Sequence, residues 1–262
     1  MKHITSRENA IYRDALRLTR KKYRDQSGLF LLEGIKPLRD AAETGAGIKR
    51  IFIDAEMYDG ADKNTGPLAA FAGRICRLDG RLFRELSDTE TSQGVISAVA
   101  KPAAAEPGKA FAGGNVLVLD RLRDPGNIGT AIRTAEAAGY SGILVIKGTG
   151  DIYSPKIARA AAGSLLRMPV LACENAEEAA ELLHELGKKL AVTCLEDAVS
   201  CFEADLTGDI ALVIGNEGQG VSRDFMELAD IRVTIPMKGS IESLNAAVAA
   251  GILMYQSVGG KF

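Results

Sequence analysis

The chain has 262 residues, of which 47% are hydrophobic, and its formal net charge at pH 7 is −2. This length suits one large domain or two small ones. No apolar run reaches the length of a membrane span, and the start MKHITSRENA lacks the apolar core of a signal peptide. The composition therefore argues against a membrane protein, and we expect a cytoplasmic one.

The cysteines and histidines narrow the possible chemistry. The four cysteines show no CxxC spacing, so neither a zinc site nor a disulfide framework is predicted. The two histidines, His3 and His184, lie at the start of the chain and on a Glu-rich helix. We therefore expect no metal, no Ser/His or Cys/His nucleophile, and a chemistry that proceeds without imidazole.

Positive charge is concentrated near the start of the chain. Residues 1–50 hold twelve Lys or Arg against six Asp or Glu, and 6–22 has the pattern of a basic helix. Such asymmetry is typical of a nucleic-acid-binding face, and a solvated surface is the competing interpretation. The candidate RNA contacts on this helix are Arg17, Arg20, Lys21 and Lys22.

Short strands and helices alternate through the first hundred residues, which predicts a small α/β sandwich. The predicted strands are 29–34, 51–53, 74–78 and 94–99, and the predicted helices run through 38–42 and 81–86. Residues 102–114 are rich in Pro, Gly and Ala and have no apolar period, which indicates a linker. We therefore predict domains at 1–101 and 115–262.

The second half repeats a strand–helix pattern, which predicts a parallel sheet covered on both faces. The predicted strands are 115–119, 142–146, 170–172, 190–194 and 210–214, and the predicted helices are 156–166 and 176–186.

Three stretches of this half join a strand to a loop of glycine or polar residues. They are VLVLDRLRDPGNIGTAIRTAEAAG from Val116, ALVIGNEGQGVS from Ala211, and IPMKGSIESLNAAVAAGILMYQ from Ile235. In the third, Ser243 and Asn245 stand at the mouth of an apolar helix, and Ser243 is the predicted helix cap. Buried polar groups there need partners, which a ligand can supply. The alternative is that Ser243 only caps and Asn245 bonds nearby backbone.

In order and spacing, the three stretches resemble the signature motifs of the SpoU (TrmH) family of RNA ribose 2′-O-methyltransferases, which have the knotted SPOUT fold. The matching residues are Asn127, Gly129 and Arg133 in the first motif, Gly215, Glu217 and Gly220 in the second, and Pro236, Ser243, Leu244 and Asn245 in the third. The resemblance extends over 115–257. Two departures are visible, because Ala161 and Ala247 stand where many members carry Ser.

This resemblance implies an α/β fold: a SPOUT-type parallel-sheet catalytic domain with a C-terminal trefoil knot. FLLEGIKPLRDA and QGVISAVA resemble the small ribosomal-protein-like α/β domain that binds substrate ahead of such catalytic domains. The implied cofactor is S-adenosylmethionine and the implied partner is RNA, with ribosomal RNA expected ahead of transfer RNA. A homodimer through the catalytic domain is also implied.

The resemblance also assigns the site. The implied catalytic residues are Asn127, Arg133, Glu217, Ser243 and Asn245, and the implied cofactor residues are Gly215, Ile235, Met237 and Leu244. Adenine needs backbone hydrogen bonds inside an apolar slot, for which Gly215 would allow close backbone approach. Core packing is the competing interpretation for each apolar residue of the set.

Arg133 lies off the apolar stripe that Ile128 and Ile132 form on its helix. Guanidinium is a poor base, so we expect Arg133 to grip a phosphate and stabilise the forming alkoxide. Glu217 and Asn245 are expected to orient Arg133, Ser243 or loop backbone. A plain surface arginine is the alternative. Further phosphate contacts are predicted at Lys156 and Arg159, where a solvated face competes.

Two other functions stay open at this point. A dinucleotide-binding oxidoreductase would use the strand and helix of LVLDRLRDPGNIG, which lacks the GxGxxG spacing. A non-enzymatic RNA-binding protein on a SPOUT scaffold would need only the basic first domain. Binding of S-adenosylmethionine without binding of NAD would separate the three functions.

Overall fold

A computed structural model describes residues 1–58, 68, 71–195 and 197–259 of the chain. Two compact units are present. The first unit comprises Met1–Pro102 and Asp151–Arg167, and the second comprises Ala103–Gly150 and Met168–Phe262. The predicted domains follow chain order, whereas the first compact unit also takes in Asp151–Arg167 from the later part of the chain.

The first unit contains a five-stranded mixed sheet. Its strands are β1 (Lys2–Ile4), β2 (Leu29–Glu33), β3 (Ile48–Asp54), β4 (Ile75–Leu78) and β5 (Val95–Ala100). Their order is β1-β4-β3-β5-β2; β4 runs parallel to β1 and β3, and β5 runs antiparallel to β3 and β2. The sequence pattern predicts every strand except β1.

Helices pack on this sheet. Those of the first unit are Ala10–Arg17, Lys21–Ser27, Ile35–Glu43, Gly80–Leu86 and Pro155–Ala160, with 3₁₀ turns at Ala72–Arg74 and Ser164–Leu166. Phe52 of β3 and Leu78 of β4 point to the same face of the sheet, because side chains alternate between faces along a strand. Tyr12 and Phe83 from the helices pack with them in one buried cluster. The α/β sandwich is thereby confirmed.

The prediction of a single basic helix over 6–22 is wrong. Its residues belong to two helices, and Arg20 between them has an extended backbone with φ −108° and ψ 133°. The reason is a buried arginine of the second helix, Arg24, whose Nη1 donates to the carbonyl oxygen of Leu18 over 2.7 Å. Its Nη2 also pairs with Asp151 over 2.5 Å.

The second unit is built on a seven-stranded sheet in which every strand pair is parallel, as predicted. Its strands are β6 (Val116–Leu119), β7 (Gly142–Ile146), β8 (Val170–Cys173), β9 (Lys189–Thr193), β10 (Val199–Ser200), β11 (Ile210–Ile214) and β12 (Ile231–Thr234). The strand order is β10-β12-β9-β11-β6-β7-β8. The trefoil knot stays a prediction.

Both faces of this sheet are covered. The helices of the unit are Pro107–Ala110, Pro125–Ala137, Ala176–Glu185, Arg223–Glu227 and Ala246–Ser257. Val116 and Val118 belong to one buried cluster, and Leu117 and Leu119, which point to the opposite face, are fully buried as well. Burial on both faces explains why the strands β6, β7 and β11 have no charged or polar side chain.

The segment 102–114, predicted as a linker, contains the helix Pro107–Ala110 and a fully buried Phe111. The Phe111 ring lies against Gly142, where an added Cβ would stand 2.2 Å from Cε1 of the ring. A glycine at the start of β7 is therefore what admits this ring to the core. Among the described residues, no helix is long and apolar enough to cross a membrane.

The last helix, Ala246–Ser257, begins three residues later than Ser243, so the prediction of Ser243 as its cap is wrong. Asn245 caps it instead, because its Oδ1 accepts from two backbone N–H groups of the first turn. The helix is apolar, but it is not buried on every face. Val248, Ile252 and Tyr255, spaced along one face, are 52%, 37% and 46% exposed.

Candidate active site

The three motif loops follow the carboxyl ends of strands in one parallel sheet. β6 and β11 are neighbours, and β12 lies on the far side of β9 from β11. Since parallel strands end at the same edge, the loops at 120–124, 215–222 and 235–245 share that edge. The topology therefore brings together residues that are more than a hundred positions apart in the chain.

A relay of hydrogen bonds links one residue from each motif. Glu217 Oε1 accepts from Asn127 Nδ2 over 3.2 Å, and Asn127 Oδ1 accepts from Asn245 Nδ2 over 2.8 Å. Asn245 Oδ1 in turn accepts from the backbone of Ala247 and Val248, which starts the last helix. A carboxylate can only accept, so the donor and acceptor ends of both amides are fixed by the relay.

Glu217 also holds backbone. Its two carboxylate oxygens accept from the backbone N–H groups of Arg123 and Asp124, at 3.2 Å and 3.0 Å. Partial burial raises the pKa of Glu217, but these bonds, the amide of Asn127 and its own backbone N–H outweigh that effect and lower the pKa below its ordinary value. An ionised carboxylate with a lowered pKa is a poor proton acceptor, so Glu217 orients the first loop.

The second motif loop is closed on itself at Gly215. A Cβ added there would stand 2.1 Å from the backbone nitrogen of Val221, so no side chain fits. Asn216 and Gly220 exchange two backbone hydrogen bonds of 2.9 Å and 2.8 Å. Asn216 Oδ1 also accepts from the backbone of Gly218 over 3.0 Å. The close backbone approach expected at Gly215 is thus an approach of the loop to itself.

Arg133 and Ser243 take no part in this relay of hydrogen bonds. Both are exposed, Arg133 on the helix Pro125–Ala137 and Ser243 in the loop before the last helix. Neither side chain has a hydrogen bond or ion pair with another residue that the structure describes. Of the three expected targets of Glu217 and Asn245, the structure shows backbone and neither Arg133 nor Ser243, because both orienters are engaged with Asn127 and with backbone.

The third motif loop offers open polar backbone. Residues 236–244 form no backbone–backbone hydrogen bond with any described residue, and the predicted cofactor residues Ile235, Met237 and Leu244 are half-buried along it. Free N–H and C=O groups beside apolar side chains are what an adenine ring and a methionine carboxylate require. This donor set fits S-adenosylmethionine. No group of three metal-ligating side chains occurs in the described part of the chain.

Sequence reasoning missed two residues that brace these loops. Asp120 is fully buried, and its Oδ2 accepts from the backbone of Ser222 over 2.6 Å. Asn216 Nδ2 donates to the carbonyl oxygen of Arg121 over 2.9 Å. The available signal was an acid directly after the apolar strand VLVL, because a carboxylate at that place needs buried partners.

Comparison with known proteins identifies this arrangement. Residues 114–255 match the model of the SpoU rRNA Methylase family. The chain belongs to this family. Residues 9–97 match the MRM3-like substrate binding domain, which agrees with the expectation of a substrate-binding first domain.

Two relatives that match this SpoU family member over more than nine-tenths of both chains are 23S rRNA 2′-O-methyltransferases. The chain is 33% identical to the 23S rRNA (guanosine(2553)-2′-O)-methyltransferase RlmP of Bacillus subtilis over 97% of its length and 98% of the relative's. It is 30% identical to the 23S rRNA (uridine(2479)-2′-O)-methyltransferase of Streptomyces viridochromogenes, covering 98% and 92% of the two chains.

Two solved methyltransferase structures have folds similar to that of this chain. The AdoMet-bound rRNA methyltransferase from Sinorhizobium meliloti superposes with a TM-score of 0.85 at 30% identity, covering 97% of this chain and 96% of that chain. The SpoU methyltransferase AviRb from Streptomyces viridochromogenes, in complex with AdoMet, gives 0.84 at 30% identity over 96% and 97%. The SPOUT-type fold of the SpoU protein is confirmed.

The predicted RNA contacts at the start of the chain divide into paired and unpaired cations. Arg17 pairs with Asp14 over 3.2 Å, and Lys21 pairs with Asp25 over 2.5 Å. Lys101 and Lys21 together lower the pKa of Asp25 to about 2. The side chains of Arg20 and Lys22 are exposed and have no partner among the described residues.

Lys156 and Arg159, the other two predicted RNA contacts, lie on the helix Pro155–Ala160 of the first compact unit. Arg159 bonds both the carboxylate and the carbonyl oxygen of Asp88, at 2.9 Å and 3.0 Å, so its guanidinium is engaged in structure. Lys156 is exposed on the same helix. Of this pair, Lys156 is the better candidate for a phosphate contact.

Proposed function

We propose that this SpoU protein transfers the methyl group of S-adenosylmethionine to a ribose 2′-hydroxyl of ribosomal RNA. The observation that carries the proposal is the Glu217–Asn127–Asn245 relay, which joins all three motifs. Arg133 belongs to the first motif but lies outside the relay, and it has no partner among the described residues. Two relatives of about a third identity act on 23S rRNA, which favours ribosomal over transfer RNA.

The cofactor would lie along the third motif loop. Gly215, Ile235, Met237 and Leu244 would hold it, with the open backbone of 236–244 facing its polar groups. S-adenosylmethionine supplies an electrophilic methyl group on a sulfonium centre. The relay would keep the first and third motif loops in fixed positions so that the bound groups meet in line.

Arg133 would act on the RNA. A guanidinium is a very poor proton acceptor, so Arg133 cannot serve as the base. A planar fork can bind the phosphate next to the target ribose and stabilise the 2′-alkoxide as it forms. Ser243 would contact the ribose or its phosphate. The proton would pass to a phosphate oxygen or to water, since the lowered pKa of Glu217 makes it a poor proton acceptor and its oxygens are bound to backbone.

The first compact unit would hold the RNA. Of the four predicted contacts near the start of the chain, Arg20 and Lys22 have no acidic partner among the described residues. Release of counterions from phosphates would supply most of the non-specific affinity. We expect Lys22→Gln to weaken RNA binding more than Lys21→Gln, because Lys21 already pairs with Asp25. A protein with this substrate would work in the cytoplasm.

A homodimer would cover the exposed face of the last helix. Val248, Ile252 and Tyr255 form an apolar stripe there, which a second copy could bury. Sedimentation equilibrium should give twice the chain mass at micromolar concentration, and Ile252→Glu should shift it toward the monomer. A wild-type monomer under these conditions would remove the dimer from the proposal.

The decisive test of the activity uses purified protein, labelled S-adenosylmethionine and protein-free 23S rRNA transcribed in vitro. We expect cofactor binding, no NAD binding, and label that survives at one ribose after nuclease digestion. Cofactor binding without transfer would favour a non-enzymatic RNA-binding protein, and NAD binding would favour an oxidoreductase. Mass mapping of the labelled fragment would identify the nucleotide.

A further inference from the structure

Arg121 has a backbone conformation that arginine rarely adopts. It is the second residue after β6, and its φ is +59°, in the left-handed region that favours glycine or asparagine. Strained residues of this kind persist where the surroundings hold them, and they concentrate at functional sites. The question is what the arginine side chain contributes here.

The surroundings of Arg121 fix its backbone on both sides. Its N–H donates to Thr149 Oγ1 over 2.9 Å, and its carbonyl oxygen accepts from Asn216 Nδ2 over 2.9 Å. Both bonds would form equally well with glycine or asparagine at this position. Backbone bonding therefore does not explain an arginine.

The side chain is fixed along its length. Gly148 makes room for it, since a Cβ added there would stand 3.3 Å from Arg121 Cγ. Arg121 Nε then donates to Oδ1 of Asp120 over 3.1 Å, and the Asp120 side chain is only 1% exposed. The inner edge of the guanidinium is thus anchored to a buried carboxylate.

The outer edge of the guanidinium is left open. The Arg121 side chain is 40% exposed, and its two Nη groups have no partner in the part of the chain that the structure describes. Arg121 is followed two residues later by Arg123, whose backbone N–H is held by Glu217. A preorganised pair of donors therefore faces solvent at the edge of the sheet where the motif loops lie.

We propose that Arg121 is a binding residue for a backbone phosphate of the substrate RNA, on the catalytic unit and separate from Arg133. The inference rests on the proposed function, because a phosphodiester is the ligand that RNA would bring to this edge. Two parallel N–H donors match two phosphate oxygens, and the anchored Nε reduces the entropy lost on binding. The competing role is neutralisation of Asp120 alone.

The experiment compares Arg121→Gln with wild type in the full-length protein. The glutamine Nε2 occupies the place of the arginine Nε, so the bond to Asp120 is kept while both outer donors and the charge are lost. Lys189→Gln is the control, because it removes one exposed positive charge at the amino end of β9. The probe is protein-free 23S rRNA transcribed in vitro, titrated at several salt concentrations.

We expect Arg121→Gln to bind this RNA about five- to tenfold more weakly at 0.1 M salt and to lower the slope of log K against log salt by roughly 0.7–0.9. Affinity for S-adenosylmethionine should not change, and Lys189→Gln should match wild type. Arg121→Lys should restore part of the RNA affinity, since the charge returns without the fork.

An unchanged salt slope in Arg121→Gln overturns the inference, whether or not its Tm falls, since that is the behaviour of a group that only neutralises Asp120. The proposed function would survive that result as long as wild type still methylates the RNA. If wild type neither binds nor methylates the RNA, the proposed function itself fails. The two failures are therefore distinguishable.

Discussion

Two loops at the same edge of the parallel sheet differ in how they satisfy their backbone. The loop 215–222 bonds to itself and to buried Asp120, and it has no room for a side chain at Gly215. The loop 236–244 forms no backbone hydrogen bond with a described residue. One loop is ordered by the protein, and the other leaves its donors and acceptors for a ligand.

The same division runs through the side chains of the site. Asn127, Glu217 and Asn245 are bonded to each other, whereas Arg133 and Ser243 are exposed and unbonded within the described chain. Bonded residues can set positions but have little capacity left for a substrate. Under the proposed function the unbonded residues would act on RNA, so substitutions in the two groups should damage different steps.

The largest effect is expected from Gly215→Ala, which breaks the self-ordered loop. The added methyl group would overlap the backbone at Gly220 and Val221, so the loop must move. We expect loss of detectable cofactor binding in calorimetry and a stability loss of about 3 kcal/mol. Gly218→Ala is the matched control, because its Cβ would meet only Asn216 Oδ1 at 3.7 Å. Wild-type cofactor affinity in Gly215→Ala would contradict the proposal that this loop helps to hold the cofactor.

Substitution of Arg133 tests the two exposed residues, Arg133 and Ser243, that have no hydrogen bond within the described chain. We expect Arg133→Ala and Arg133→Lys each to reduce turnover on saturating RNA by about a hundred- to a thousandfold, because a preorganised donor to the developing charge is lost. Stability should stay within about 0.5 kcal/mol of wild type, since the side chain is exposed and unpaired. Cofactor affinity should also stay unchanged. Near-normal turnover in Arg133→Ala would make this residue a plain surface arginine.

Local pattern predicted most strands of both units, though not β1 or β10, because the apolar runs are short and bounded by turn residues. β7 and β11 lie where they were predicted, at Gly142–Ile146 and Ile210–Ile214. The break between the first two helices was not predicted. Arg24 bonds the Leu18 carbonyl at this break and also pairs with Asp151, 127 positions away, a contact that no local period records.

The motif residues were found through their resemblance to a family, but their bonding was not. Asn245 was expected to orient Arg133, Ser243 or loop backbone; its amide instead bonds Asn127 at one end and the backbone of the helix start at the other. The shift of the helix start from Ser243 to Asn245 was unpredictable because Ser and Asn are equally good caps. The choice between them was made by Asn127, a residue from another motif.

Asn245 offers a smaller, graded test of the bonded group. Asn245→Ala removes the helix cap and the bond to Asn127, at a cost of about 1 kcal/mol each. Asn245→Ser keeps a cap acceptor and loses only the amide donor, so about half of the destabilisation should remain. Chemical denaturation of both variants measures this difference. Equal stabilities for the two variants would show that the cap contributes nothing.

The smallest expected effect is the pH dependence of Glu217, whose hydrogen bonds from backbone and Asn127 lower its pKa despite partial burial. A carboxyl group with a lowered folded-state pKa stabilises the protein above its unfolded value of about 4.3 and loses that contribution as pH falls through the folded value. Glu217→Gln resembles the protonated form. We therefore expect it to be less stable than wild type at pH 7, with the difference shrinking below about pH 4. Urea unfolding of both proteins at pH 7, 5 and below 4 would measure it. A difference that stays constant with pH would mean that the charge of Glu217 does not hold the loop, and that neutral hydrogen bonds are enough.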